Sequence, residues 1–203
     1  MPLALDRRRL LVVLGASGAA LFLPRPALAE PVLGDIPLGD PEAPVKIVEY
    51  ASFTCPHCAA FHESSWERLK KEYIDTGKVY FIFRDVYFDR YGLWASMAAR
   101  CGGAEAFYPL AGEYLLKQKA WTGVPQEQIG AEILKIARLN GLPKDQLEAC
   151  MTDQDYARQL IETYQANAAK DGVTATPTFF INGEKFTGNI PFEEFAKLID
   201  ERL

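Results

Sequence analysis

Cys55 and Cys58 lie three positions apart, separated by Pro56 and His57. Two thiols at this spacing can close a disulfide with each other, or one can resolve a mixed disulfide that the other has formed with a second molecule. The nucleophile in such chemistry is the thiolate, so the question is what would ionise one of them. Cys55 falls where an apolar run, Val45 to Tyr50, and a short loop, Ala51 to Thr54, give way to a helical pattern. At that junction the first turn's unpaired N–H groups and the positive end of the helix dipole point at the Cys55 sulfur. Cys58 falls about one turn later, on the same side and further in. Pro56 suits a first helical turn, where a missing N–H costs nothing. His57 can carry a positive charge or donate a hydrogen bond beside the thiolate. Stabilising the reduced thiolate makes the disulfide easier to reduce, and so makes the oxidised protein the stronger oxidant.

Other uses of the pair are weaker. Half of a zinc site would need two further ligands, and His62, the one other histidine, sits on the same helical stretch rather than on a separate knuckle. A structural clamp of four residues would restrain very little chain. His57 could also be an ordinary exposed polar residue.

The elements that would hold the pair can be read from periodicity. Val45 to Tyr50 reads as a buried strand, bounded upstream by Pro41 and Pro44; His57 to about Ile74 as a helix; and Val79 to Phe83 as a second buried strand. Parallel pairing of the two strands makes this a βαβ unit. From Tyr91 to Asp171 the pattern is helical throughout: Leu93 to Cys101, Ala104 to Lys119, Gln126 to Leu139 and Asp145 to Met151. A longer helix follows, with Tyr156, Leu160, Tyr164 and Ala168 on one stripe of core packing. Breaks are expected at Gly102-Gly103, Gly123-Val124-Pro125 and Asn140 to Pro143. Thr178 to Ile181, the turn Asn182-Gly183 and Lys185 to Thr187 read as an antiparallel hairpin, and Phe192, Phe195, Leu198 and Ile199 as a last amphipathic helix. Neither flanking half is large enough to bury a core alone, so the helices read as an insert in one α/β domain. The expected division is 30–90 with 172–203, and an insert over 91–171.

The N-terminus bears on the compartment. Arg7, Arg8 and Arg9 precede an apolar run from Leu10 to Leu23, and Ala27-Leu28-Ala29 offers a small-x-small cleavage site. The run is too short for a bilayer span. Residues 1–29 therefore read as a signal peptide; Arg7-Arg8-x-Leu10-Leu11 also resembles a twin-arginine signal, so both the general secretory and twin-arginine routes stay open. Cleavage after Ala29 removes four of the 22 basic and one of the 27 acidic residues, leaving a net charge near −8. That balance disfavours nucleic acid and anionic membrane surfaces as partners. At 49% hydrophobic and 24% charged, the composition is that of an ordinary globular domain.

Two segments together resemble one family. Glu49-Tyr50-Ala51-Ser52-Phe53-Thr54-Cys55-Pro56-His57-Cys58 and Thr176-Pro177-Thr178-Phe179-Phe180-Ile181-Asn182-Gly183 are similar to the DsbA family of periplasmic thiol–disulfide oxidoreductases, over nearly the whole mature chain. The resemblance implies a thioredoxin fold with an inserted all-helical subdomain. It further implies a cis Thr176-Pro177 bond whose loop packs on the cysteine pair and offers backbone groups to an extended substrate. Glu49 matches the family's acidic residue beneath the pair, where burial would raise its pKa and let it shuttle a proton as Cys58 titrates. Thr176 departs from the family prototype, which is aliphatic there. Its hydroxyl can donate to the nearby sulfur, a choice more typical of isomerase-leaning relatives.

Cys101 and Cys150 form a second pair, absent from the prototype although some relatives resemble this chain in carrying one. In an oxidising compartment they read as a structural staple, closing a loop of about 50 residues worth roughly 4 kcal/mol. Two buried free thiols, or a staple that tunes the active-site potential, are the alternatives.

The resemblance implies a disulfide oxidase, and a monomer is expected. Oxidised Cys55–Cys58 would pass to unfolded exported proteins, and a DsbB-like quinone-linked membrane protein would reoxidise the enzyme; no metal or other cofactor is called for. An isomerase or reductase ranks second, favoured by Thr176 and disfavoured by the few residues before Val45, too few for a dimerisation arm. A peptide- or metal-binding module without catalysis ranks third.

Overall fold

The computed structural model describes residues 30–203, so the signal-peptide expectation over 1–29 lies outside the described residues. A five-stranded mixed sheet forms the frame. Its strands are β1 (Pro37–Leu38), β2 (Val45–Ala51), β3 (Val79–Asp85), β4 (Thr178–Ile181) and β5 (Glu184–Thr187), in spatial order β1-β3-β2-β4-β5. β2 and β3 are parallel, as a helical crossover requires; the other neighbours are antiparallel. The edge strand β1 was not anticipated: two residues held by pairing to β3 carry too little periodicity to register in a sequence.

β2 lies between β3 and β4, which buries it on both sides. Its alternation places Val45, Ile47 and Glu49 on one face, all fully buried. Glu49 is thus a carboxylate in a row of aliphatic side chains. Its register partners on that face are Phe83 of β3 and Phe179 of β4.

The crossover from β2 to β3 is helical from Pro56 to Ile74 without being one regular helix. α1 (Pro56–Phe61) runs into a π-helical turn over His62–Trp66, then α2 (Glu67–Leu69) and a second π turn over Lys70–Ile74. Each π turn inserts a residue and resets which side chains face the sheet. Phe61, Trp66, Leu69 and Tyr73, which recur at three- to five-residue steps, are buried, and Ile74 joins them.

The helices inserted between β3 and β4 are α3 (Arg90–Cys101), α4 (Gly103–Leu116), α5 (Gln118–Thr122), α6 (Gln126–Leu139), α7 (Lys144–Thr152) and α8 (Gln154–Lys170). The break expected at the glycine pair is present: Gly103, at φ +78, takes the left-handed conformation and turns the chain directly from α3 into α4. One boundary differs from expectation. The single helix expected over Ala104 to Lys119 is broken at Lys117 (φ −97, ψ +12), where the next residue, Gln118, turns its side chain inward. α9 (Phe192–Asp200) closes the fold, and Phe61, Phe179 and Phe195 meet with ring centroids 4.7–5.4 Å apart. The hairpin turn uses Asn182 and Gly183, both at positive φ. Asn182 Oδ1 also accepts from the Lys46 N–H of β2 at 2.7 Å.

Sheet and insert share one hydrophobic cluster. Phe53 and Phe83 stack at 5.4 Å and meet Tyr114 and Phe107 of α4 edge-on. The insert is therefore a wall of the same core that holds Glu49.

Candidate active site

Cys55 is the N-cap of α1, with extended backbone (φ −82, ψ +118), and Pro56 occupies the first turn. The loop before it is held from three directions. Thr54 Oγ1 donates to Asp89 Oδ2 at 2.8 Å, while Asp89 Oδ1 caps α3 by accepting from the Tyr91 and Gly92 N–H groups. Gln118 Nε2 donates to the carbonyls of Phe53 (2.8 Å) and Cys55 (2.9 Å). Gly92 lets the loop come close, since a Cβ there would sit 3.3 Å from Ser52 Oγ and 3.4 Å from Thr54 Oγ1.

The two thiols are free and very different. Cys55 is 7% exposed and Cys58 fully buried. Hydrogen bonding from the Cys58 thiol does most to bring the Cys55 pKa down from 9.0 to about 5; burial opposes it, and Thr176 and the backbone N–H groups of Cys58 and His57 assist. Burial pushes Cys58 far up, and its contact with Cys55 and the charge of Glu49 push in the same direction. A Cys55 pKa of about 5 makes that sulfur, which keeps a small exposure of 7%, a thiolate at neutral pH, while the fully buried Cys58 stays a thiol.

His57 acts on Cys55 through its backbone N–H. Its side chain is exposed, and among the described residues it makes no hydrogen bond to the sulfur. The largest causes of the lowered pKa are the Cys58 thiol, Thr176 and the first-turn backbone N–H groups of Cys58 and His57.

Across from the pair, the Thr176-Pro177 peptide bond is cis. The Cys55 thiol donates to the Thr176 carbonyl at 3.5 Å. The loop is braced by Gly188 N–H donating to the Pro177 carbonyl (2.8 Å) and by Thr178 Oγ1 donating to the Ala175 carbonyl (2.7 Å). The buried Thr176 Oγ1 has no hydrogen-bond partner among the described residues, and Thr176 is among the groups that lower the Cys55 pKa.

Beneath the pair, Glu49 Oε2 lies 3.2 Å from His62 Nε2, both residues being buried. The structure thus brings Cys55, Pro56, His57, Cys58, Glu49, Thr176 and Pro177 to one place. Cys101 and Cys150 stand apart from it, joined as a disulfide between α3 and α7 with Cα atoms 6.1 Å apart. Three contributors escaped the sequence reading. Gln118 and Asp89 reach the loop only through tertiary contacts and left no local signal. His62 did leave one: it follows Cys58 by four residues, the spacing that puts two side chains on one helix face.

A family model described as thioredoxin matches residues 32–201. A Rickettsia felis protein named as a protein-disulfide oxidoreductase is 33% identical over 172 residues, which are 83% of this chain and 60% of that protein. A Bacillus anthracis protein named as disulfide bond formation protein D is 31% identical over 175 residues, 82% of this chain and 77% of that one. The chain spans about three fifths of the length of the Rickettsia relatives it matches. Among solved structures, Wolbachia pipientis alpha-DsbA1 is 31% identical and superposes with a TM-score of 0.76 over 85% of this chain and 92% of that one. The match covers the strands, the cysteine helix and the inserted helices alike, and the chain belongs to the thioredoxin family, in its DsbA-like branch.

Proposed function

We propose that this chain is an exported protein thiol–disulfide oxidoreductase of the oxidase kind, acting in the periplasm on unfolded proteins that carry free cysteines. The observation that supports it best is the split between the two sulfurs: Cys55 at the helix N-terminus, 7% exposed and with its pKa brought down to about 5, and a fully buried Cys58 whose pKa burial pushes up. A thiolate stabilised in the reduced protein favours reduction of the Cys55–Cys58 disulfide, so electrons flow from substrate to protein.

In the proposed reaction a substrate thiolate attacks Cys55 Sγ along the face framed by Thr176 and Pro177. The Cys55–Cys58 bond breaks, its electron pair goes to Cys58, and Cys58 takes a proton that Glu49 supplies. A second substrate thiolate then attacks the substrate sulfur of the mixed disulfide. The substrate disulfide forms and Cys55 leaves as the stabilised thiolate. A DsbB-like quinone-linked membrane protein would accept the two electrons and regenerate the pair; among the described residues no helix is long and apolar enough to cross a membrane. In this reading the chain works as a monomer, 30–90 with 172–203 form the thioredoxin-like domain, 91–171 form the insert, and Cys101–Cys150 is a structural staple.

A reductase or isomerase is the second reading, and Thr176 favours it. The two are separated by the reduction potential of Cys55–Cys58, measured by equilibration in glutathione buffers, alkylation and gel shift. An oxidase requires a value near or above about −150 mV, whereas about −250 mV or below would overturn the oxidase reading. In periplasmic extracts, Cys58→Ser should accumulate mixed disulfides with secreted cysteine proteins.

A further inference from the structure

His62 is 4% exposed and lies one turn beyond Cys58, its backbone N–H directed at the carbonyls of Cys58 and Ala59. It opens the π-helical turn over His62–Trp66, whose extra residue sets where the ring points. The ring is fixed on several sides: Trp66 stacks on it at 5.0 Å, and Phe61 and Phe83 meet it edge-on at 5.7 and 6.1 Å. Within this aromatic box its Nε2 lies 3.2 Å from Glu49 Oε2. Glu49 Oε1 and His62 Nδ1 are both buried and have no hydrogen-bond partner among the described residues.

An apolar pair would fill such a box at lower cost, because taking ionisable groups out of water is expensive even when they are paired. With Nε2–H donating to Oε2 and the exchangeable proton on Oε1, the pair is net neutral, so it can stand in an apolar core and still give up that proton to leave a carboxylate that Nε2–H continues to hold. The groups that face it are Cys58 of α1 and, beyond that, the N-cap Cys55, together with Tyr108 of α4, whose hydroxyl is committed to the Ile36 carbonyl at 2.6 Å. β3, β4 and α9 present Phe81, Phe83, Phe179 and Phe195 to this region.

We propose that His62 is a positioning residue for the proton transfer at Cys58: it orients the Glu49 carboxylate through Oε2 and leaves Oε1 free to exchange a proton with the Cys58 sulfur. This rests on the oxidoreductase reading above. When the Cys55–Cys58 bond breaks, Cys58 takes the electron pair and a proton from Glu49, and His62 stabilises the carboxylate that remains. The proton is restored when the substrate's second thiol ionises. In the reverse direction Cys58 returns its proton to Glu49 as its sulfur attacks Cys55 and the substrate sulfur leaves.

The test is the single-turnover rate at which the oxidised protein oxidises a dithiol peptide, followed against pH for the parent, His62→Gln, His62→Lys and Glu49→Gln. Loss of oriented proton transfer should slow His62→Gln roughly tenfold or more at neutral pH and move its pH profile in the same direction as Glu49→Gln. The double variant should be no slower than Glu49→Gln alone, and His62→Lys should recover part of the rate. The Cys55 thiolate titration should stay where it is in His62→Gln. A parental pH profile in His62→Gln beside a shifted Glu49→Gln would overturn the role of His62 alone. Multiplying effects in the double variant would do the same. A parent that oxidises no dithiol would overturn the oxidoreductase reading and this role together. Should His62→Gln fail to fold, His62→Asn supplies the same comparison.

Discussion

The pH dependence of the Cys55–Cys58 potential follows from the two thiols and can be worked out in advance. Reduction takes up two electrons and as many protons as the reduced pair binds. Below pH 5 both sulfurs are thiols and two protons enter; above it Cys55 is a thiolate, Cys58 remains a thiol, and only one proton enters. For a two-electron couple each proton contributes about −30 mV per pH unit, so the slope should be about −60 mV per pH unit below the break and about −30 mV above it. An ordinary pair at 9.0 would keep the steeper slope through neutrality. At pH 7 the two lines have diverged over two pH units, so the lowered Cys55 pKa makes the protein a stronger oxidant by about 60 mV, equal to a factor of about 100 in equilibrium constant. The assay is equilibration with glutathione at a series of pH values, quenched in acid and read by alkylation, with the ultraviolet absorbance of the thiolate as an independent titration. A single steep line through neutrality, or a break at pH 7 or above, would refute the account of Cys55.

Two further outcomes concern what holds the site. Cys101→Ala with Cys150→Ala opens a loop of sequence separation 49, which should cost about 4 kcal/mol and lower Tm by roughly 8–16 °C; a fall of less than about 3 °C in thermal unfolding would show that the bridge is not a staple. Gln118→Leu removes the donor shared by the Phe53 and Cys55 carbonyls and leaves both buried without it, at a cost of roughly 1–3 kcal/mol read as a lower urea midpoint. An unchanged midpoint would mean that the loop is held without Gln118.

Much of this was already written in the order of residues. Cys55-Pro56-His57-Cys58 at a strand–helix junction specified the reactive pair, because local geometry alone aims the first-turn N–H groups at the first sulfur. Asn182-Gly183 specified the hairpin, and the stripe of Tyr156, Leu160, Tyr164 and Ala168 the long helix. The cis bond at Thr176-Pro177 came from resemblance rather than from local chemistry, since a sequence by itself says little about which X–Pro bond is cis.

Tertiary structure decided what depends on residues distant in the chain. Lys117 breaks a helix that its own sequence would have continued, and beside it Gln118 reaches two carbonyls of a loop more than sixty positions away. His57, adjacent to the chemistry and chemically suited to it, has an exposed side chain, and its backbone N–H helps to lower the Cys55 pKa. His62 could be placed on the face of Cys58 from spacing alone, yet only the sheet shows what it meets: β2 brings Glu49 to it from thirteen residues away, between two phenylalanines contributed by β3 and β4. Helix starts, turns and periodic faces arise from interactions within a few residues, and these a sequence displays. The surroundings of a buried charge are set by whichever strands pack beside it, and the chain order does not contain that.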